Sequence, residues 1–338
     1  NRMRGILQLN VNKKLIGLAI ALLITLALPL CVTNPYLLQY FINMLLFAYL
    51  ATGWNIIGGY AGQMALGNGV YFGIGAYVST VLFIYENLSP WVGMLIGGCV
   101  AALLALVLGS MTFRLNGSYF SLSTVALLHV VRLLFLSNNE MFGYETRGAQ
   151  GLYVPWRGES FANMQFTGKT EYYYIILGLF IIGIAVSWWV KNSRTGYYLS
   201  AINTNQEAAG SLGVNVMGMK LKASCISAFM TAVGGTFYAQ FIMLVDPSRV
   251  LGYDLSVQIM LYAAIGGRGT LLGPVLAAFL LAPLNDLLRA AFGTTVSGLS
   301  LVIYGLALML IIYFIPQGLW PYFSDKIQAA KAAKAGKE

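Results

Sequence analysis

Near residues 15–33, 36–57, 91–113, 119–136, 172–190, 223–245 and 297–315 the sequence stays apolar for the roughly 20 residues that a helix needs to cross the hydrocarbon core of a bilayer. This repeated length constrains the fold more than any other feature. A lipid-embedded backbone has no water to bond, and a helix satisfies its hydrogen bonds within one segment. Three further runs, near 69–86, 254–266 and 271–288, are short or interrupted by glycine, and read as tilted spans or broken helices. The expected fold is an all-α polytopic membrane protein of about ten transmembrane helices, one membrane domain over 1–319 followed by a tail over 320–338. Only 9% of the residues are charged against about a quarter in a soluble domain, so a water-soluble core is excluded. The first run lacks a small-residue cleavage site and is followed at once by a second, so it reads as a span and not a signal peptide. The chain opens on Asn1 and not on Met, so residues upstream are expected.

Charge sets the orientation. If all ten runs cross, fourteen Lys and Arg fall on one side and five, Arg147, Arg157, Lys169, Arg249 and Arg289, on the other, with Arg132 inside a span. Cytoplasmic segments are the basic ones, which places both termini in the cytoplasm. The net charge of +9 sits in short runs beside the spans, next to membrane lipid, and implies no nucleic-acid partner. The Ala- and Lys-rich stretch 329–337 reads as a surface-lying or disordered cytoplasmic end. Cys31, Cys99 and Cys225 all lie in apolar runs without metal-ligand or disulfide spacing.

Two polar segments are long. Residues 137–171, on the outer side, carry three basic and four acidic residues, Pro155 and several aromatics. Residues 191–222 face the cytoplasm. In the second, Thr204 and Glu207 are spaced as a capping box, and Gly213 stands where a helix end favours a left-handed residue. The two turns between them bring Ala208, Ala209 and Leu212 close to one face, which suits docking into a groove of another protein; a connector helix lying on the membrane is the simpler alternative.

Glycines punctuate 58–69, where Gly62, Gln63, Gly67 and Asn68 lie between apolar runs, with Tyr71 just beyond. Each glycine costs a helix about 0.8–1 kcal/mol relative to alanine, so a break is expected. Irregular backbone at membrane depth lines a cavity or packs against protein, and Gln63, Asn68 and Tyr71 are candidates to line or gate a path; close helix packing through small residues is the alternative. Tyr119, Ser121, Ser123 and Thr124 add a second polar patch. His129 and Arg132 share a helix face, and Arg132 is near enough to a span end to snorkel. A looser repeat of the first glycine pattern occurs at Gly266–Pro274. Gly168-Lys169-Thr170 imitates a phosphate loop, but Asn163 stands where the first glycine belongs and no apolar strand precedes it.

Several of these segments, in one order, resemble the permease subunits of bacterial ABC importers for branched-chain amino acids. They are Gly58–Gly67, Phe72–Tyr77, Gly117–Phe120, Gly148–Leu152, Arg194–Ile202, Glu207–Val216, Lys220–Phe229, Gly266–Pro274 and Phe314–Leu319. The resemblance implies a transport subunit of the bacterial inner membrane, not an enzyme, that moves leucine, isoleucine or valine and binds no cofactor. ATP and magnesium would be held by two separate ATPase chains, beside a second related permease and an external substrate-binding protein. Thr204, Glu207, Ala208, Ala209, Leu212 and Gly213 would couple to the ATPase. Gly62, Gln63, Gly67, Asn68, Tyr71, Tyr119 and Ser121 would belong to the path. The chain departs from that family at Asn68, where relatives carry histidine, and at Tyr197, Ser200 and Asn203, where relatives are arginine-rich. Urea or short amides are alternative solutes, and an ion-coupled secondary transporter is an alternative class, although its candidate carboxylates, Asp254 and Asp286, sit near span ends.

Overall fold

A computed structural model describes residues 34–326 except 116, 142 and 293–297, together with 25, 28 and 29. The expected span over 15–33 and the tail beyond 326 lie outside the described residues.

Among the described residues the helices follow in the order α1 (Pro35–Asn55), α2 (Asn68–Tyr85), α3 (Pro90–Thr112), α4 (Ser118–Ser137), α5 (Lys169–Asn192), α6 (Arg194–Thr204), α7 (Gln206–Ser211), α8 (Val216–Ile242), α9 (Pro247–Val250), α10 (Tyr253–Gly267), α11 (Gly273–Phe292) and α12 (Leu299–Phe314). Among the described residues, eight helical segments are long and apolar enough to cross a membrane, and nine if α12 and the bent continuation Leu319–Lys326 form one span. All three short, glycine-rich runs are helical at spanning length: α2, α9 with α10, and α11.

α8 is the central post. It packs against α2 and α3 on one side and α1 on another, while α1 also holds α5, α10 and α11, and α12 lies on α11. Small residues permit the α2–α8 contact: a Cβ on Gly75 would lie 2.0 Å from the Ala232 carbonyl oxygen, and one on Gly235 would lie 2.0 Å from that of Phe72. With no hydrophobic force between helices in lipid, such backbone approach supplies the van der Waals contact that holds them. Thr236 Oγ1 adds a hydrogen bond to the Gly75 carbonyl at 3.0 Å.

Two faces are distinguishable. The 137–171 segment, expected to be a soluble loop, is a structured cap over the helix ends. β1 (Glu140–Met141) pairs with β2 (Tyr144–Glu145), and β3 (Leu152–Tyr153) pairs with β4 (Leu244–Val245) just after α8. Gln165 is fully buried at its centre, its Nε2 donating to the Pro155 carbonyl and its Oε1 accepting from the Arg157 amide, both at 2.8 Å. Arg157 lies 4.4 Å over the Phe83 ring. Lys169, in the sequence that imitates a phosphate loop, donates instead to Gln39 Oε1 at 2.7 Å and ties α5 to α1. The opposite face carries α6 and α7.

Candidate functional site

The expected break after α1 is present. The helix widens into a π-turn over Ile56–Tyr60 and then stops, and residues 61–67 run non-helically before α2 begins. Gly62 takes φ +69°, a conformation glycine adopts without strain. The irregular backbone is tied on every side: Trp54 Nε1 donates to the Ala65 carbonyl at 2.7 Å, Ser121 Oγ to that of Met64 at 2.8 Å, and the Leu66 amide to Thr124 Oγ1 at 3.1 Å. The Gly69 amide, an orphan donor at the start of α2, donates to Ser256 Oγ at 2.8 Å. Several polar groups freed by the break are thus satisfied inside protein, as membrane depth favours. The second glycine-rich stretch meets the first: Asn55 Nδ2 donates to the Thr270 carbonyl at 2.8 Å and Asn55 Oδ1 accepts from the Gly269 amide at 3.0 Å.

The sequence-derived path residues divide into groups. Gly67, Asn68 and Tyr71 wall a small cavity among α2, α3, α4 and α8, with ≈30 Å³ open to the centre of a water molecule, room for one or two waters. Asn68 is 1% exposed and its Nδ2 has no partner among the described residues. Gly62 and Gln63 lie in the break itself, where Gln63 Nε2 reaches only the Ala61 carbonyl at 3.3 Å. Ser121 steadies the break through Met64, whereas Tyr119 is 74% exposed on the outward side of α4.

Larger spaces adjoin α10, and sequence reasoning had not singled them out. Toward the capped face, a cavity of ≈620 Å³ lies among α10, α11 and α12, with Asp254, Gln258, Asn285 and Arg289 contributing its polar lining. Toward the α6–α7 face, a second of ≈550 Å³ is lined by Met64 from the break, Arg268 after α10, and Gln317 beyond α12. Both fall within the ~300–1,000 Å³ typical of small-molecule sites. Leu261 is common to both linings. Beside it, Gln258 Nε2 donates to the Tyr262 hydroxyl at 2.6 Å and the Tyr304 hydroxyl donates to that of Tyr262 at 3.3 Å. The only signal in the sequence was the spacing of Asp254, Gln258 and Leu261 on one side of a short helix. Of the span-end carboxylates, Asp254 lines the first cavity, and Asp286 accepts from Asn43 Nδ2 at 3.4 Å. His129 stacks on Tyr253 at 6.1 Å, and Arg132 keeps a buried Nε without a partner among the described residues.

On the opposite face, α7 forms with a different cap from the expected one. Thr204 belongs to α6, where its hydroxyl donates to the Ser200 carbonyl at 3.1 Å. Asn205 is the cap, its Oδ1 accepting from the amides of Glu207 and Ala208, both at 3.0 Å. Asparagine competes better than threonine for this role, and an extended residue must separate two helices. The C-terminal end is as read from sequence: Gly213 takes φ +86°, the Val214 amide reaches back to the Ala209 carbonyl and the Gly213 amide to that of Gly210. Ala209 does not share an outward face with Ala208 and Leu212. It is 3% exposed and turned into this chain, while Leu212 is 86% exposed. Lys220, within the 191–222 segment expected to face the cytoplasm, is 1% exposed, and its Nζ donates to Gln206 Oε1 at 2.7 Å, fastening α7 to α8.

Eight or nine helices of spanning length among the described residues, with a broken helix tied into the bundle, define a multi-pass membrane protein. The chain belongs to the family described as "Branched-chain amino acid transport system / permease component", whose model matches residues 36–313. It is 26% identical to the high-affinity branched-chain amino acid transport system permease protein LivM of Escherichia coli K12, over 87% of this chain and 72% of that one. It is 23% identical to the corresponding LivH of Salmonella typhimurium, over 81% and 90%. It is also 26% identical to the nucleoside ABC transporter permease protein NupC of Lactococcus lactis, over 67% and 73%. No solved structure matches the chain.

Proposed function

We propose that the chain is one permease subunit of a binding-protein-dependent ABC importer that moves leucine, isoleucine or valine across the bacterial cytoplasmic membrane, with both termini and α6–α7 in the cytoplasm. The observation that carries this reading is the pair of cavities along successive halves of α10, with Leu261 common to both linings. Two vestibules that meet at one residue of a spanning helix suit a path that opens to one side and then to the other. A second, related permease would close the open side of α10. Two separate ATPase chains, holding ATP and magnesium, would receive α7 through its exposed face, and an external binding protein would dock on the cap formed by 137–171. The chain itself does no chemistry and holds no cofactor. Asp254 and Arg289 bring one charge of each sign to the outer vestibule, beside the amides of Gln258 and Asn285, and a zwitterionic solute suits that lining.

The test is uptake into proteoliposomes containing the assembled importer. Leu261→Trp fills the wall between the vestibules and is expected to reduce leucine uptake at least tenfold while assembly persists. Isoleucine and valine should compete with leucine, and adenosine and urea should not. Wild-type uptake by the assembled Leu261→Trp importer would refute the path; competition by adenosine alone would refute the solute.

A further inference from the structure

We infer that Asn203 is the positioning residue through which the α6–α7 arm moves the walls of the cytoplasmic vestibule, an inference that rests on the importer reading above. Asn203 stands in the last turn of α6, two residues before Asn205, which ends α6 and caps α7. The Asn205 cap joins α7 to the same arm, and Lys220 fastens the start of α7 to α8. The Asn203 Nδ2 donates to the Gly59 carbonyl at 3.2 Å. Among the described residues, this is the hydrogen bond that joins the arm to the broken segment. The fit is close, since a Cβ on Gly62 would come 2.1 Å from Asn203 Oδ1.

From Gly59 the contact continues into the second glycine-rich stretch. A Cβ on Gly59 would lie 1.9 Å from Asn55 Oδ1 and 2.6 Å from the Gly269 amide nitrogen, and Asn55 bonds both Gly269 and Thr270. Both stretches contribute to the lining of the ≈550 Å³ vestibule, through Met64 after the π-turn and Arg268 before Gly269. Neither wall can shift alone, because glycine-to-backbone packing leaves no slack between them. A displacement of the arm therefore reaches both through Asn203, Gly59 and Asn55, a route separate from the Lys220 contact with α8. Asn203 itself is exposed, so its hydrogen bond contributes little to holding the fold together. Its position between the arm and the vestibule gives it a role in coupling that its contribution to stability does not.

The experiment uses the complete transporter in nanodiscs and reads the ratio of ATP hydrolysis with leucine-loaded binding protein to hydrolysis without it. Asn203→Leu removes the donor, and Asn203→Asp keeps the shape but faces the Gly59 carbonyl with an acceptor. Both are expected to lower the ratio about fivefold or more, the scale of a typical coupling between sites, with basal hydrolysis and assembly retained. Leu212→Asp, on the exposed face of α7, serves as the reference for the arm. If Leu212→Asp lowers the ratio and both Asn203 variants keep it, the inference is wrong and the importer reading stands. If all three keep it, the arm does not couple and both fail. Loss of assembly in both Asn203 variants would make Asn203 a structural residue and also overturn the inference.

Discussion

Gly75→Ala puts one methyl group where α2 and α8 touch through their backbones. The added Cβ would lie 2.0 Å from the Ala232 carbonyl oxygen, 2.5 Å from its carbonyl carbon and 2.6 Å from its Cα, whereas ordinary contact begins at 3.4 Å. The helices must therefore separate by about 1.4 Å, the difference between 3.4 and 2.0 Å. A flexible side chain could absorb that distance, but every obstructing atom here is backbone. The same separation stretches the bond from Thr236 Oγ1 to the Gly75 carbonyl, now 3.0 Å, beyond useful length. Overpacking costs about 1–3 kcal/mol and a lost hydrogen bond about 0.5–1.5, so the substitution should cost roughly 2–4 kcal/mol. Gly178→Ala is the matched control, because a Cβ there meets nothing within 4 Å, and it should be neutral or slightly stabilising. Thermal loss of the monodisperse peak in detergent reads both: Gly75→Ala should fall by at least ~5 °C and Gly178→Ala should not. Equal midpoints for the two variants would refute the argument that backbone contact between α2 and α8 holds the bundle.

Two further outcomes follow from local structure. Asn205→Ala removes the α7 cap and should cost about 1 kcal/mol, seen as faster amide exchange over 206–211 with α6 unaffected; Thr204→Ala, which the capping-box reading would make the damaging change, should leave exchange in α7 near wild type. In the 137–171 cap, the Thr167 hydroxyl and amide both hold the Glu159 carboxylate below its ordinary pKa. The lowered pKa means that this contact is fully present above the ordinary carboxylate pKa and is lost as pH falls through the depressed value. Proteolytic cleavage between 159 and 167 should therefore rise on acidification below about pH 4, and Glu159→Ala should show the raised rate already at neutral pH.

The helical, membrane-spanning character of the described apolar runs, the break after α1 and the left-handed end of α7 were legible in the sequence, because each follows from a local property: run length, glycine density, or one glycine at one position. The shift of the cap from Thr204 to Asn205 was not, since two adjacent residues could both serve and the choice fell to where α6 ended. Nor could periodicity assign Ala209 to the inward side of α7. Six residues make less than two turns, and the neighbouring α8 decides which side is covered.

The sequence by itself determined that this chain lives in a bilayer as helices, since no other backbone arrangement of these apolar runs satisfies its hydrogen bonds there. It also determined the family, through motifs spread from the first described span to the last. Tertiary structure alone decided where the open space lies. Asn68 and Tyr71, polar and conspicuous in the sequence, surround a cavity of ≈30 Å³, whereas spaces of ≈620 and ≈550 Å³ lie along α10 and an apolar one of ≈600 Å³ lies among α2, α3 and α4. A cavity is what remains after distant helices have packed, and no single segment of sequence encodes it. The same holds for Asn203 and Gly59, 144 residues apart and 3.2 Å between donor and acceptor. Their meeting depends on how α6 lies under the end of α1, which only the assembled bundle fixes.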